Sequence, residues 1–286
     1  MKFTKIAKIQ GGQDGAVYGG YLFRFDTKGK CFVYETKSLL EAQGKDVECI
    51  STFVCDKVET LMPHSNAVTF GTEFYADGDE FPLLYTNIYN TYAGAQDKMK
   101  GVCAVYRLTR NGNNFETKLV QIIEIGFVED IELWASEGGD VRPYGNFCID
   151  CEKNLYHGFT MRDKDHKTRY FTFCLPKLCD GKYDEKFGVH RVVLEKEDIK
   201  SYFDCEYHIF IQGAICHGGL VYSVEGFEND PSKLPALRIV DPAAQKQLEC
   251  VMLGDFGLTA EPEFIDFFEG ICYYSDGYGN LYTIEF

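Results

Sequence analysis

Positive charge is scarce in this 286-residue sequence: 29 lysines and arginines stand against 44 acidic residues, leaving a formal net charge of -15. Such a chain repels phosphate backbones and anionic head groups unless a basic stripe overrides the total, and the basic residues here are scattered. We therefore expect neither a nucleic-acid nor a membrane partner. Long apolar runs are missing too, since no window approaches the roughly 20 residues that a spanning helix needs. The amino-terminal MKFTKIAKIQ has no apolar core of the kind a secretory signal carries. The expectation is a soluble, cytoplasmic protein.

Helical patterns are few, with only residues 37–43 and 196–203 as short candidates. Gly11-Gly12 and Gly19-Gly20 do not open a helix, and no Gly-Lys-Ser/Thr loop exists, which argues against a dinucleotide fold or a phosphate loop. No cofactor is expected. Twelve cysteines, spread from Cys31 to Cys272 in a chain with ample apolar residues, read as reduced thiols rather than a disulfide framework. Cys148-x-x-Cys151 with His157 nearby is the sharpest metal alternative. A structural zinc site needs four convergent ligands, no second Cys-x-x-Cys exists, and residues three apart on a strand face opposite ways. No metal is expected.

What the sequence does contain is strand after strand. CFVYET, FPLLYTNIYN, GVCAVYRLT, KLVQIIEI, NLYHGFTM, RYFTFCL, VHRVVLE, GLVYSVEGF, GICYYSDG and GNLYTIEF are short runs rich in β-branched and aromatic residues. Turn residues separate many of them, as in Asp26-Thr27-Lys28-Gly29, Asp77-Gly78-Asp79, Asn111-Gly112-Asn113-Asn114 and Asp276-Gly277-Tyr278-Gly279-Asn280. Asn, Asp and Gly tolerate the positive φ of tight hairpins. The fold class is all-β and antiparallel.

Five segments share one local grammar, a polar residue, a Gly or Asn, then a small-apolar strand: Gln13-Asp14-Gly15-Ala16-Val17, His64-Ser65-Asn66-Ala67-Val68, Pro143-Tyr144-Gly145-Asn146-Phe147, Ile211-Gln212-Gly213-Ala214-Ile215 and, less closely, Glu261-Pro262-Glu263-Phe264-Ile265. Each is followed by a second strand rich in Tyr and Phe. Units of this size supply about four strands each, the content of a propeller blade. Five units span residues 13–62, 63–125, 141–195, 210–254 and 261–286, the last short of one strand. The strand pattern at residues 2–9 would complete it and close the ring, leaving no unpaired edge. The chain thus resembles five-bladed β-propellers, as a single domain over residues 1–286; WD and kelch signatures are absent, and two packed β-sheets are the structural alternative. That fold is shared by sugar-binding lectins and several glycoside hydrolase families, whose catalytic motifs are not written here.

In such a ring the innermost strand of each blade lines a central channel, and the residues that begin those strands crowd one mouth. They are Gln13, Asp14, His64, Asn66, Arg142, Tyr144, Gln212, Glu261 and Glu263. A few convergent donors and acceptors of this kind orient a small polar ligand, a sugar among the possibilities. Each also has a plainer reading. His64, whose ordinary pKa lies near neutrality, could satisfy a backbone carbonyl; Asn66 stands where other repeats carry glycine and could adopt a left-handed conformation; Glu261 and Glu263 could be a solvated loop. Trp134, the sole tryptophan, lies among acids in residues 129–142 and offers either a sugar platform or a plug between blades. Tyr85, Tyr89, Tyr92, Tyr273 and Tyr274 read as packing between blades.

Three functions follow. The first is a binder of a small polar molecule at the channel mouth. The second is a glycoside hydrolase or lyase with paired carboxylates, Asp14 with Glu261 or Glu263, and Asp140 as a distant substitute. A metal-dependent variant would draw on His64 and Glu263. The third is a protein-interaction scaffold, which an exposed apolar patch would favour.

Overall fold

The computed structural model describes residues 1–88, 99, 101–126, 146–160, 167–206, 211–228, 230–232 and 234–286. Its strands form five sheets. The first holds β2 (Gly15–Tyr18), β3 (Tyr21–Phe25), β4 (Lys30–Glu35) and β5 (Ser51–Val54), after β1 (Lys2–Lys8). The second begins with β6 (Val68–Phe70), β7 (Leu84–Ile88), β8 (Val102–Asn111) and β9 (Asn114–Ile125). The third holds β10 (Phe147–Asp150), β11 (Leu155–Thr160), β12 (Arg169–Cys174) and, beyond β13 (Lys182–Asp184) and β14 (Val189–Leu194), β15 (Ser201–Asp204). The fourth is β16 (Ile211–His217), β17 (Leu220–Glu225), β18 (Ala236–Asp241) and β19 (Lys246–Met252). The fifth is β20 (Pro262–Phe268), β21 (Ile271–Asp276) and β22 (Asn280–Glu285), to which β1 adds as the outer strand.

The innermost strands β2, β6, β10, β16 and β20 touch in succession and β20 returns to β2. The arrangement is a five-bladed β-propeller. Its closure is the expected one: Lys2 pairs with Glu285 and Lys8 with Asn280, so the first strand and the last cover each other's edge.

Strand alternation explains the core. Successive side chains point to opposite faces, and here both faces of a blade are buried against neighbours. Leu84, Val102, Ala104 and Tyr106 meet Phe23, Phe25 and Val33 between blades one and two, whereas Tyr85, Cys103 and Val105 meet Phe147, Tyr156 and Phe171 between blades two and three. Tyr273 serves the junction of blades five and one, and Tyr274 that of four and five. These tyrosines and Tyr85 are packing residues, as expected; Tyr89 and Tyr92 lie outside the described residues. All twelve cysteines are free thiols, half of them buried.

Two local expectations fail. Residues 196–203 are not a helix: a single 3-10 turn, Lys196–Asp198, runs into β15. Aromatic alternation in Tyr202 and Phe203 suits a strand, and Tyr170 pairs with Phe203 across it. The other helical stretch does form, as α1 (Thr36–Glu41), and a further turn, α2 (Val58–Leu61), goes unsignalled by any periodicity. The third unit also ends differently. Its residues 182–194 leave the blade, and β14 pairs in parallel with β9 of the second sheet, giving that sheet six strands. Arg191 fixes the junction through Glu124 of β9, at 2.8 Å, and is itself held by Asp184 of β13, at 3.3 Å. Among the described residues no helix is long and apolar enough to cross a membrane.

Candidate functional site

The upper mouth of the channel is set by the residues that begin the five innermost strands. Blades cannot join there by continuous backbone ladders, because the strands splay around the axis. Side chains bridge them instead. Asp14 Oδ2 accepts from the Val68 N–H at 2.9 Å, tying blade one to blade two, and Asp266 Oδ2 accepts from the Val17 N–H at 2.6 Å, tying blade five to blade one. On the other side Asn87 Nδ2 donates to Asn146 Oδ1 at 3.0 Å, and Asn146 Nδ2 donates to the Ile211 carbonyl at 3.0 Å. This amide chain links blades two, three and four.

The second half of the site is electrostatic. Arg24 is fully buried on β3, with its Nη2 donating to the Asp276 carbonyl at 3.3 Å. Room for it comes from Gly11, where φ is +97° and an added Cβ would lie 2.4 Å from Arg24 Cγ. Burial lowers the guanidinium's pKa, and the charges of Glu263, Asp14 and Asp276 oppose that shift. The same burial raises Asp14 and Glu263 well above the ordinary carboxylate range; for Glu263 the neighbouring Glu261 adds to the rise and Arg24 counters it. Glu261 is itself raised by burial, although Gln212 Nε2 donates to its Oε1. Asp266, deeper in the ring, is pushed up to about 7 by desolvation against the pull of its two backbone donors.

Two β-bulges aim these groups. The ladder of β16 shifts register at Gln212 and that of β20 at Glu263, so both side chains leave the regular alternation at the same mouth. Between them Gly213 permits the approach: a Cβ there would stand 2.9 Å from the Glu263 carbonyl oxygen and 3.0 Å from Asp14 Oδ1. Several polar atoms stay unpartnered in this buried cluster, namely Asp14 Oδ1, Glu263 Oε2, Gln13 Oε1, Arg24 Nε and Arg24 Nη1. At the rim, the ring of Tyr278 is exposed, its hydroxyl donating to Glu228 Oε2 at 2.5 Å.

The ring therefore brings together Asp14, Gln212, Glu261 and Glu263 of the residues singled out from sequence, with Gln13 next to Asp14 along the chain. Asn66 does not take the left-handed conformation; that falls to Ser65, with φ of 61°, while Asn66 Oδ1 accepts from Asn87 Nδ2. His64 is half-buried, and desolvation lowers its pKa from the ordinary 6.5 to about 4. Arg142, Tyr144, Trp134 and Asp140 lie outside the described residues. Sequence reasoning missed Arg24, Asn87, Asn146 and Tyr278. The signal for Arg24 was there, a cation in the middle of the apolar strand YLFRF. Asn87 carries no comparable mark. A cleft of about 590 Å³ lies elsewhere, between blades two and three, lined by Leu175, Asp180, Arg191 and Asp198 among others. We place the site at the mouth nonetheless, because orphaned buried polar atoms demand partners and an open groove does not.

No protein-family model and no curated relative matches this chain. Solved structures do. A glutaminyl cyclase of Myxococcus xanthus is similar at 10% identity and a TM-score of 0.51, with 100% of this chain and 96% of that one covered. BamB from Moraxella catarrhalis is similar at 9% identity and a TM-score of 0.34, covering 96% of this chain and 58% of that one. The Dos1 propeller follows at 10% and 0.35, covering 95% and 57%. At these identities the likeness concerns the fold alone.

Proposed function

We propose that the protein binds a small, uncharged, hydroxyl-bearing molecule at the upper mouth of its channel, with carbohydrates as the leading class. One observation carries this reading: the buried cluster holds unpartnered acceptors, on Asp14, Glu263 and Gln13, beside unpartnered donors, on Arg24. Each such group costs about 1–3 kcal/mol when left unmade. A hydroxyl both donates and accepts, so a polyol satisfies the mixed set, whereas an anion or a cation would satisfy half of it and repel the rest. The exposed face of Tyr278 offers a sugar ring an apolar platform at the rim. Thermal-shift and equilibrium-dialysis measurements against mono- and disaccharides, cyclitols and a glutaminyl peptide, the last because a glutaminyl cyclase shares the ring, test the reading. Binding by one hydroxylated class, lost in Arg24→Met and Gln13→Ala chains that remain folded, is the expected result. Silence across the panel, with ordered water alone filling the cluster in a crystal, refutes it.

A second reading, acid–base catalysis on such a ligand, is favoured by the raised carboxyls, since burial makes each of them hold its proton more firmly than an ordinary carboxylate, the direction a general acid needs. Glu261→Gln and Asp14→Asn should then each abolish turnover of the bound compound with little change in melting temperature. Full activity in both removes this reading and leaves the binder.

A further inference from the structure

The innermost strands end at the opposite, lower mouth, and there the topology assembles a second group of donors. Asp150 is the last residue of β10, His157 lies on β11 opposite Cys148, and Cys216 is the penultimate residue of β16 in the next blade. Their ligand atoms all lie within 4.8 Å of one another. We propose that Asp150, His157 and Cys216 form a binding site for a divalent transition-metal cation of zinc-like chemistry, with a fourth position open to water or substrate.

The donor set argues for this class of ion. Thiolate, imidazole and carboxylate together suit a borderline cation that accepts S, N and O, and three protein ligands with one open position is the arrangement zinc takes when it is accessible. Bonds of about 2.0–2.3 Å put tetrahedral ligands roughly 3.3–3.8 Å apart, so closure from the present spacing takes shifts of about an ångström. Two of the ligands are already oriented. His157 Nδ1 lies 2.9 Å from Thr172 Oγ1, which leaves Nε2 for the ion. Asp150 Oδ1 accepts from the Glu152 and Lys153 N–H groups, both at 3.0 Å, which leaves Oδ2. Lys153 Nζ sits 3.6 Å from that oxygen, but its side chain is half exposed and can swing away. It is a competitor for the carboxylate rather than a member of the site.

The proposed ligands are not the Cys148-x-x-Cys151 pair that the sequence brings to mind. Cys148 is fully buried between blades three and four, and the Cys151 thiol turns toward the Phe70 carbonyl at 3.4 Å. Cys148 lies on β10, whereas Cys151 lies in the turn beyond it. The ring brings His157 of β11 beside Cys216 of the next blade instead.

Titration of the metal-free chain with Co2+ tests the site. One equivalent should produce a thiolate-to-cobalt charge-transfer band, displaced by Zn2+, and Zn2+ should raise the melting temperature. Cys216→Ser should abolish the band, and His157→Gln and Asp150→Asn should weaken affinity at least tenfold. Thr172→Val should weaken it about 10–100-fold, as loss of an orienting partner does. Lys153→Ala should bind as tightly or more so, and Cys151→Ser should leave the band intact. Absence of the band, or its persistence in Cys216→Ser and loss in Cys151→Ser, overturns the proposal. Should the Cys216 variant fail to fold, side-chain NMR of the wild-type histidines decides: Zn2+ must shift one buried imidazole, and unmoved resonances overturn the site.

Discussion

Adding one methyl group at Gly213 tests the architecture of the upper mouth most directly. The substitution Gly213→Ala would set a Cβ 2.9 Å from the Glu263 carbonyl oxygen, 3.0 Å from Asp14 Oδ1 and 3.3 Å from Asp14 Cγ. Real Cβ atoms keep about 3.4 Å or more from such oxygens, so β16 must part from β20 by several tenths of an ångström or Asp14 must turn. Neither yields easily. The Glu263 oxygen is backbone, and Asp14 is held by its bond to the Val68 N–H, which joins two blades. Overpacking of this kind costs about 1–3 kcal/mol, which for a chain of this size lowers the melting temperature by roughly 2–8 °C. Gly254 supplies the control, because an added Cβ there meets nothing within 4 Å and its φ is not left-handed. Gly254→Ala should be neutral or stabilising by up to about 1 kcal/mol. Denaturant and thermal melts of both variants, with binding of any hydroxylated ligand found for the wild type, form the assay. A Gly213→Ala chain that melts with the wild type and binds as well would refute the close convergence of Asp14, Gly213 and Glu263.

Two further outcomes follow from the side chains that bridge blades. Asp266 titrates at about 7 in the folded chain against 3.8 as its ordinary value, so between those pH values the folded form keeps a proton that the unfolded form has released. Stability from this group is complete below pH about 4 and lost as pH rises through 7, a change of about 4 kcal/mol at 1.36 kcal/mol per unit. Urea melts at pH 5 and pH 8 should show the wild type losing ground to Asp266→Asn over that interval; a constant gap between the two would count against the buried carboxyl. Asn87→Leu strips a donor from Asn146 Oδ1 and an acceptor from the Ala67 N–H, both buried. The cost should be about 2–5 kcal/mol, seen as a melting point lower by roughly 5–15 °C, and a loss under 1 kcal/mol would deny the amide chain its role.

Much of this protein was determined by local sequence. Alternation in runs such as GLVYSVEGF and turns built on Asp26, Asp150 and Asp276, whose carboxylates accept from backbone N–H groups two to four residues on, specify hairpins without long-range information. The five strand starts and the unpaired first strand were legible for the same reason, since an edge must be covered wherever it lies. Tertiary structure alone decided the chemistry. Glu263 and Gln212 face the mouth because bulges break the alternation that would otherwise assign their sides. Arg24 becomes their counter-charge only once β3 lies against blade five, and Asn87 becomes a bridge only once blade three stands beside it. Residues 182–194 read as strands equally well in either sheet, and only the open edge of β9 selected the second. Strand periodicity fixes which face a side chain takes, but the ring fixes which distant faces meet, and that is a matter of closure that no local window of sequence contains.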